Sequence, residues 1–353
     1  MSILPKRRLW PIQPDMTQYF RPILSFDPAA PDGALRLGGG ALWFTHAEVL
    51  ERGRSPLRVP VNELPADITT RLTAPRADVA GLAMTAPRIM GILNVTPDSF
   101  SDGGQHDAPD LALAHVRKMV AAGADIIDVG GESTRPGAAE VDPAVEISRT
   151  APVIAAIRAR MDTPVSIDTR KAAVGQAAMD AGANVINDVA GFTYDPDLAK
   201  VAAATNAPVC VMHAQGDPQT MQQDPQYGDV LLDVFDFIEE RIAWLVAQGI
   251  PRSRIITDPG IGFGKALDHN LTLLQRISLF HTLGCPILLG VSRKRFVGTI
   301  GNAPAPADRA PGSVAIALHA ASQGVQILRV HDVYETRSAL NLWQAAVGGY
   351  YEP

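Results

Sequence analysis

Eight polar groups along the chain could do ligand chemistry, and each follows an apolar run of strand-like length. Asn94 follows the run 88–93, Asp128 follows 125–127, Asp168 follows 164–167 and Asn187 follows 185–186. Met212-His213 follows 208–211, Asp258 follows 254–257, Ser292-Arg293-Lys294 follows 286–290 and Arg329-Val330-His331 follows 326–328. Carboxylates accept hydrogen bonds only, whereas an amide both accepts and donates. Asp128, Asp168 and Asp258 beside Asn187 therefore suit a heterocycle edged with N–H donors. A metal site is the competing reading, although the His-rich spacing of zinc sites is missing. Any single Asp could also cap the next helix.

The basic residues after the last two runs suit an anion. Arg329 and His331 stand two apart, so in a strand they share one side. The alternative is a surface cluster paired with acids. Arg329 ends an apolar run, which weighs against that, because a buried cation needs a partner.

Gly260-Ile-Gly-Phe-Gly-Lys265 invites a nucleotide-loop reading but fails it. Pro259 stands where a phosphate loop needs its first glycine, and Ala266 replaces the Ser or Thr that would hold magnesium. The dinucleotide fingerprint fails too, because Lys265 takes the place of its last glycine. The glycines instead would let backbone pass close to a flat ligand beside Asp258. Two long loops carry glycines and hydroxyls, as mobile lids tend to. They are Asn94-Val-Thr-Pro-Asp-Ser-Phe-Ser-Asp-Gly-Gly104 and Gly130-Gly-Glu-Ser-Thr-Arg-Pro-Gly137. Phe100, at a loop tip, either packs down on the body or closes over a substrate.

Elements that could position these groups alternate regularly from residue 88. The periodicity predicts helices at 108–122, 142–161, 171–181, 195–205, 229–248, 268–282, 309–323 and 332–346. Five end at a glycine just before the next strand: Gly123, Gly182, Gly249, Gly284 and Gly324, as the left-handed helix stop favours. Ala122-Gly-Ala-Asp-Ile-Ile-Asp128 repeats as Ala181-Gly-Ala-Asn-Val-Ile-Asn187. Alternation means parallel strands with helical crossovers, and eight units predict an α/β fold, a (β/α)8 TIM barrel with one functional rim. A doubly wound open sheet is the rival, but it would not place polar groups after all eight strands.

Residues 1–87 carry 11 of the 28 prolines and no sustained period. They read as a proline-rich N-terminal extension of unknown role, one that packs on the barrel of 88–353 or stays partly mobile and is too short and proline-punctuated for an independent domain, with a candidate short strand at 41–44 and a candidate short helix at 46–52 capped by Thr45. The net charge of -6 and pI near 5.7 lack the basic footprint of a non-specific nucleic-acid binder. Cys210 and Cys285 lie in apolar runs and read as reduced core residues. The first residues lack the apolar stretch of a secretory signal, and no run reaches the ~18 apolar residues of a membrane span. A cytoplasmic location is expected, with no membrane and no nucleic-acid partner.

The two loop motifs just quoted, with Ser166-Ile-Asp-Thr169, Met212-His213, Asp258-Pro-Gly-Ile-Gly-Phe-Gly-Lys265, Ser292-Arg-Lys294 and Arg329-Val-His-Asp332, closely resemble the dihydropteroate synthases. The resemblance covers 88–353 and not 1–87. It departs at Ala214, where the family commonly carries methionine. It implies condensation of 6-hydroxymethyl-7,8-dihydropterin diphosphate with 4-aminobenzoate in folate synthesis. It also implies roles. Asp168, Asn187, Asp258 and Lys294 would hold the pterin with Met212 against its ring, and Asp128 and Arg135 would join the substrate site. Thr134, Arg329 and His331 would hold the diphosphate, and Asn94 would help bind its Mg2+. Phe100, Pro136 and Ser292 would surround the aminobenzoate. Asp168, Lys294 and Arg329 would be catalytic, and the protein a homodimer. Other readings are a folate-dependent methyltransferase and a non-catalytic pterin-binding paralogue; the intact Lys294, Arg329 and first-loop motif weigh against both.

Overall fold

A two-residue alternation governs the start of the chain where a helix was expected. In a computed structural model that describes residues 18–96, 108–133, 138–216 and 221–348, His46–Leu50 is strand β4 and not a helix. Ala47 and Val49 are buried while His46 and Glu48 are half-buried, the signature of a strand with one covered face. Both edges of β4 are paired antiparallel, to β1 (Tyr19–Pro22) and β5 (Leu57–Pro60), and this pairing overrides a weak helical pattern. Thr45 caps nothing; its hydroxyl lies 3.0 Å from His46 Nδ1. A two-stranded ribbon, β2 (Leu35–Arg36) with β3 (Trp43–Phe44), is shorter than the strand expected at 41–44. Helix α1 (Ala66–Thr73) follows.

This N-terminal part docks on the barrel's outer helices through polar contacts. Tyr19 Oη donates to Asp236 at 2.9 Å, Arg52 pairs with Asp233 and Asp236, and Arg76 Nη2 donates to the His281 carbonyl at 3.0 Å.

The barrel strands are β6 (Arg88–Asn94), β7 (Ile126–Gly130), β8 (Val165–Asp168), β9 (Val185–Asp188), β10 (Val209–Met212), β11 (Ile255–Asp258), β12 (Leu288–Leu289) and β13 (Ile327–Val330). All neighbours are parallel in the order β11-β10-β9-β8-β7-β6-β13-β12. A parallel bridge from Thr257 to Ile287 joins the two edges, so the chain forms a (β/α)8 barrel. The crossovers are α2 (Ala108–Ala121), α3 (Pro143–Arg158), α4 (Ala172–Asp180), α5 (Asp197–Thr205), α6 (Val230–Ala247) and α7 (Leu267–Gln275), then α8 (Arg295–Ile300), α9 (Ala310–Ser322) and α10 (Val333–Gly348). The helix expected at 268–282 changes to a 3-10 helix over Ile277–Leu283, and α8 was not foreseen. The five predicted helix-stop glycines all have positive φ, from 75° at Gly284 to 101° at Gly182.

Inside the barrel the two-residue period stacks a polar layer on an apolar one. Met90, Ile126, Val185, Cys210, Ile256, Leu288 and Ile327 form a buried layer. Two residues further along the same strands stand Ile92, Asp128, Asn187, Met212, Asp258, Gly290 and Arg329. Asp168 joins this upper layer, with buried Ser166 below it. Val79 and Met84, from the turn that precedes β6, pack into the apolar layer and are each 3% exposed.

Burying such side chains contributes roughly 1.5–3 kcal/mol each. A chain that begins at residue 88 is therefore expected to be poorly soluble, with a lowered melting temperature in any soluble fraction. Soluble yield and thermal denaturation would check this; normal values for both would exclude a role for the turn in the barrel floor.

Candidate active site

Two buried carboxylates share one arginine at the C-terminal rim. Arg329, near the end of β13, donates from Nε to Asp128 Oδ2 at 2.6 Å and from Nη2 to Asp168 Oδ2 at 2.7 Å. Asp128 is fully buried and Asp168 is 8% exposed. The Asn187 amide donates to the same Asp128 oxygen at 3.2 Å. Asp128 Oδ1 and Asp168 Oδ1 are left without a partner among the described residues. Buried acceptors without donors are costly, so these two atoms mark where a ligand's N–H groups would sit. Burial pushes Asp168 up to about 7, against the pull of Arg329; Asp128, Glu146 and Asp188 push it further up.

Asp258 ends β11 beside Met212 of β10. One of its oxygens accepts from Gly260 N at 2.7 Å, and burial raises its pKa. Lys294 crosses to the loop after β11. Its amine donates to the Ile261 carbonyl and lies 4.4 Å from the centre of the Phe263 ring. Gly262, at φ +83°, allows this approach, since a Cβ there would sit 3.1 Å from Lys294 Cδ. Burial brings the Lys294 pKa down to about 8.

The basic run after β12 does not stay together as one cluster. Arg293, at φ +58°, turns away and pairs with Asp332. Ser292 faces His331 instead: its Oγ accepts from His331 N at 3.1 Å and lies 3.0 Å from His331 Nδ1. Asn94 is half-buried at the end of β6, beside Gly130. Asp128, Asp168, Asn187, Met212, Asp258, Lys294 and Arg329 thus come from seven strand ends to one mouth, with Asn94, Ser292 and His331 on its rim. Phe100, Thr134, Arg135 and Pro136 lie outside the described residues.

Two groups near this mouth include motif residues that were given no role: Glu132 in the first, His213 and Lys265 in the second. Glu132 binds Arg170 (3.1 Å) and Lys171 (3.1 Å), Lys171 also binds Glu146 (2.8 Å), and all four are buried. This network ties the segment after β7 to the one after β8. Lys265 and His213 form the second group, with Lys265 Nζ 2.8 Å from His213 Nδ1. Buried charge adjacent to rim motifs was the available signal, but spacing alone cannot pair residues from different loops.

Comparison with known proteins agrees with this geometry. A family model described as pterin binding enzyme matches residues 90–331. The dihydropteroate synthase of Escherichia coli K12 is 46% identical over 271 residues, covering 77% of this chain and 95% of that protein. The crystal structure of Yersinia pestis dihydropteroate synthase with a sulfonamide drug complex superposes with a TM-score of 0.71 at 49% identity, covering 75% of this chain and 96% of that one. The Xanthomonas albilineans enzyme in complex with 7,8-dihydropteroate gives 0.70 at 42% identity, covering 77% and 98%.

Proposed function

Since the chain belongs to the pterin-binding enzymes and, within them, to the dihydropteroate synthases, we propose how its residues carry the condensation of 6-hydroxymethyl-7,8-dihydropterin diphosphate with 4-aminobenzoate. The observation that carries this reading is the pair of unpartnered acceptors on Asp128 and Asp168, whose other oxygens are bridged by Arg329. With Asp258 and Asn187 they offer a row of hydrogen-bonding groups to the N–H edge of a pterin. Leaving such groups unpaired costs ~1–3 kcal/mol each, so a ring with the wrong pattern is rejected. Met212 supports the ring face, and the Lys294 amine binds a ring acceptor. The C–O bond to diphosphate breaks, the amine of aminobenzoate then bonds to the pterin methylene, and the surplus amine proton passes to solvent or to the released diphosphate. Arg329 and His331, with Thr134, stabilise the charge that collects on the leaving group. Asp168 favours positive charge shared between ring and methylene, so the displacement is dissociative. An arylamine is unprotonated at neutral pH, and no side-chain nucleophile is required.

The magnesium ion fits this reading as a companion of the diphosphate. Among the described residues no group of three His, Cys, Asp or Glu side chains could hold a metal. Mg2+ commonly takes one or two protein oxygens and completes its shell with substrate phosphates and water; the Asn94 amide oxygen is one such donor. When bound, it would neutralise phosphate charge.

Phe100, Pro136 and Ser292 would surround the aminobenzoate, and Arg135 would join the substrate site. The division into an extension (1–87) and a catalytic barrel (88–353) belongs to the same reading. So does a homodimer, supported by Tyr334 and Leu342 on α10, which are 68% and 70% exposed. A cytoplasmic location completes it; no helix among the described residues is long and apolar enough to cross a membrane. A methyltransferase or a non-catalytic paralogue is not favoured, because the 46% identity to a synthase extends over 271 residues and 95% of that enzyme's length.

The test is diphosphate release from the two substrates with Mg2+. Sulfonamides, which imitate aminobenzoate, are expected to inhibit competitively against it and not against the pterin. Purely noncompetitive inhibition would show the aminobenzoate site to be misplaced.

A further inference from the structure

We propose that Lys265, clamped to His213, is a positioning residue for the pterin side of the site, acting through the loop that carries Ile261 and Phe263. This rests on the reading above that Asp258 and Lys294 hold the pterin. Lys265 is 2% exposed and His213 6%. The lysine amine lies 2.8 Å from His213 Nδ1, donates to the Phe263 carbonyl at 3.0 Å and reaches the His213 carbonyl at 3.3 Å. A buried amine is tolerated only when hydrogen-bonded. Three partners match the three N–H bonds of an ammonium. They match a neutral amine equally well if His213 carries its proton on Nδ1.

Those contacts join two loops. His213 follows β10, while Phe263 and Lys265 follow β11. The seam between them is tight enough to exclude side chains. A Cβ on Gly260 (φ +68°) would lie 1.8 Å from the His213 carbonyl oxygen, and one on Gly264 (φ +61°) would lie 2.4 Å from that of Gln215. Outside the seam, the Tyr227 hydroxyl donates to the Gly264 carbonyl at 2.7 Å and the Phe237 ring meets the His213 ring edge-on at 4.8 Å. On its inner side the same loop presents the Ile261 carbonyl and the Phe263 ring to the Lys294 amine. It also donates Gly260 N to Asp258. Lys265 therefore touches no substrate, yet it holds the backbone on which both Lys294 and Asp258 rest. A residue of equal length without the amine would fill the space and let the seam open.

The test uses the full-length chain and both substrates. In Lys265→Met the KM for the pterin diphosphate is expected to rise about tenfold or more, while the KM for 4-aminobenzoate stays within about twofold. His213→Leu, which removes the ring partner of the amine, should reproduce this split. His213→Gln, whose amide can either accept from or donate to the amine, should largely restore wild-type values. An unchanged pterin KM in soluble Lys265→Met overturns the proposal. So does an equal rise in both KM values, or a loss of active protein at unchanged KM, since either describes a merely structural residue. If Lys265→Met does not fold, the His213→Leu and His213→Gln pair decides: a selective pterin effect in the first alone supports the clamp, and equal behaviour overturns it. Should the wild-type chain release no diphosphate, the reaction assignment fails separately. Equilibrium binding of the pterin diphosphate to wild type and variant then judges the clamp: weaker binding in the variant supports it, and equal binding overturns it.

Discussion

Arg329→Ala is expected to lose most of its turnover and, at the same time, a large part of its stability. The guanidinium spans Asp128 and Asp168 at 2.6 and 2.7 Å. Removing it strands two carboxylates in a buried layer, and breaking a buried pair costs about 3–5 kcal/mol. Loss of an electrostatic stabiliser of a leaving group lowers turnover by about 10²–10³-fold. Proton uptake would soften the stability loss. Asp168 already stands up at about 7 because burial outweighs the pull of Arg329, and without that pull it rises further. The sign follows from linkage. An acid whose folded pKa exceeds its unfolded value near 3.8 binds more protons when folded, so stability falls as pH rises from about 4 through the folded pKa. The variant should thus melt at a clearly higher temperature at pH 5 than at pH 8, by a wider margin than the wild type. Initial rates of diphosphate release and melting curves at both pH values would check this. Near-normal turnover would refute the catalytic role, and pH-independent melting would refute the buried-pair account.

Lys294→Ala is the second large effect. The amine is held against the Ile261 carbonyl and the Phe263 ring, and a hydrogen bond from a charged group contributes about 1.5–3 kcal/mol. That corresponds to a loss of roughly 10- to 100-fold in kcat/KM for the pterin substrate. In the wild type the ammonium form is present below about 8, the value to which burial lowers it. The wild-type kcat/KM should therefore fall as pH rises through 8, and the variant should lack that limb. Stability moves the other way. Between 8 and 10.5 the unfolded chain holds the Lys294 proton more than the folded chain does, so the lysine's contribution to stability grows as pH rises across that window, a trend absent from the variant. A retained limb in the variant would assign it to another group.

Much of the barrel was legible because it is written in local patterns. The apolar runs, the helical periods and the stop glycines at 123, 182, 249, 284 and 324 each act within a few residues. Seven of the eight strands ran one to three residues further than the apolar runs, while β12 stops one residue short of its run. Asp128, Asp168, Asn187 and Asp258 are thus in-register strand residues and not the first residues of loops. The helix expected at 46–52 failed because β1 and β5 pair with that segment from both sides, a partnership no short window contains. The anion cluster after β12 failed in part for a similar reason: Asp332, far along the chain, takes Arg293.

Sequence alone determined the residue types, their order and the two-residue stacking of polar on apolar side chains, because the direction of a side chain along a strand follows from backbone geometry. Which groups share a proton, a cation or a seam was decided only by closure of the barrel. Closure set Arg329 between Asp128 and Asp168, and Lys265 against His213, across separations of 201, 161 and 52 residues. Pairing at that range depends on where the backbone returns in space, and in a low-dielectric interior the partner found there decides the charge state.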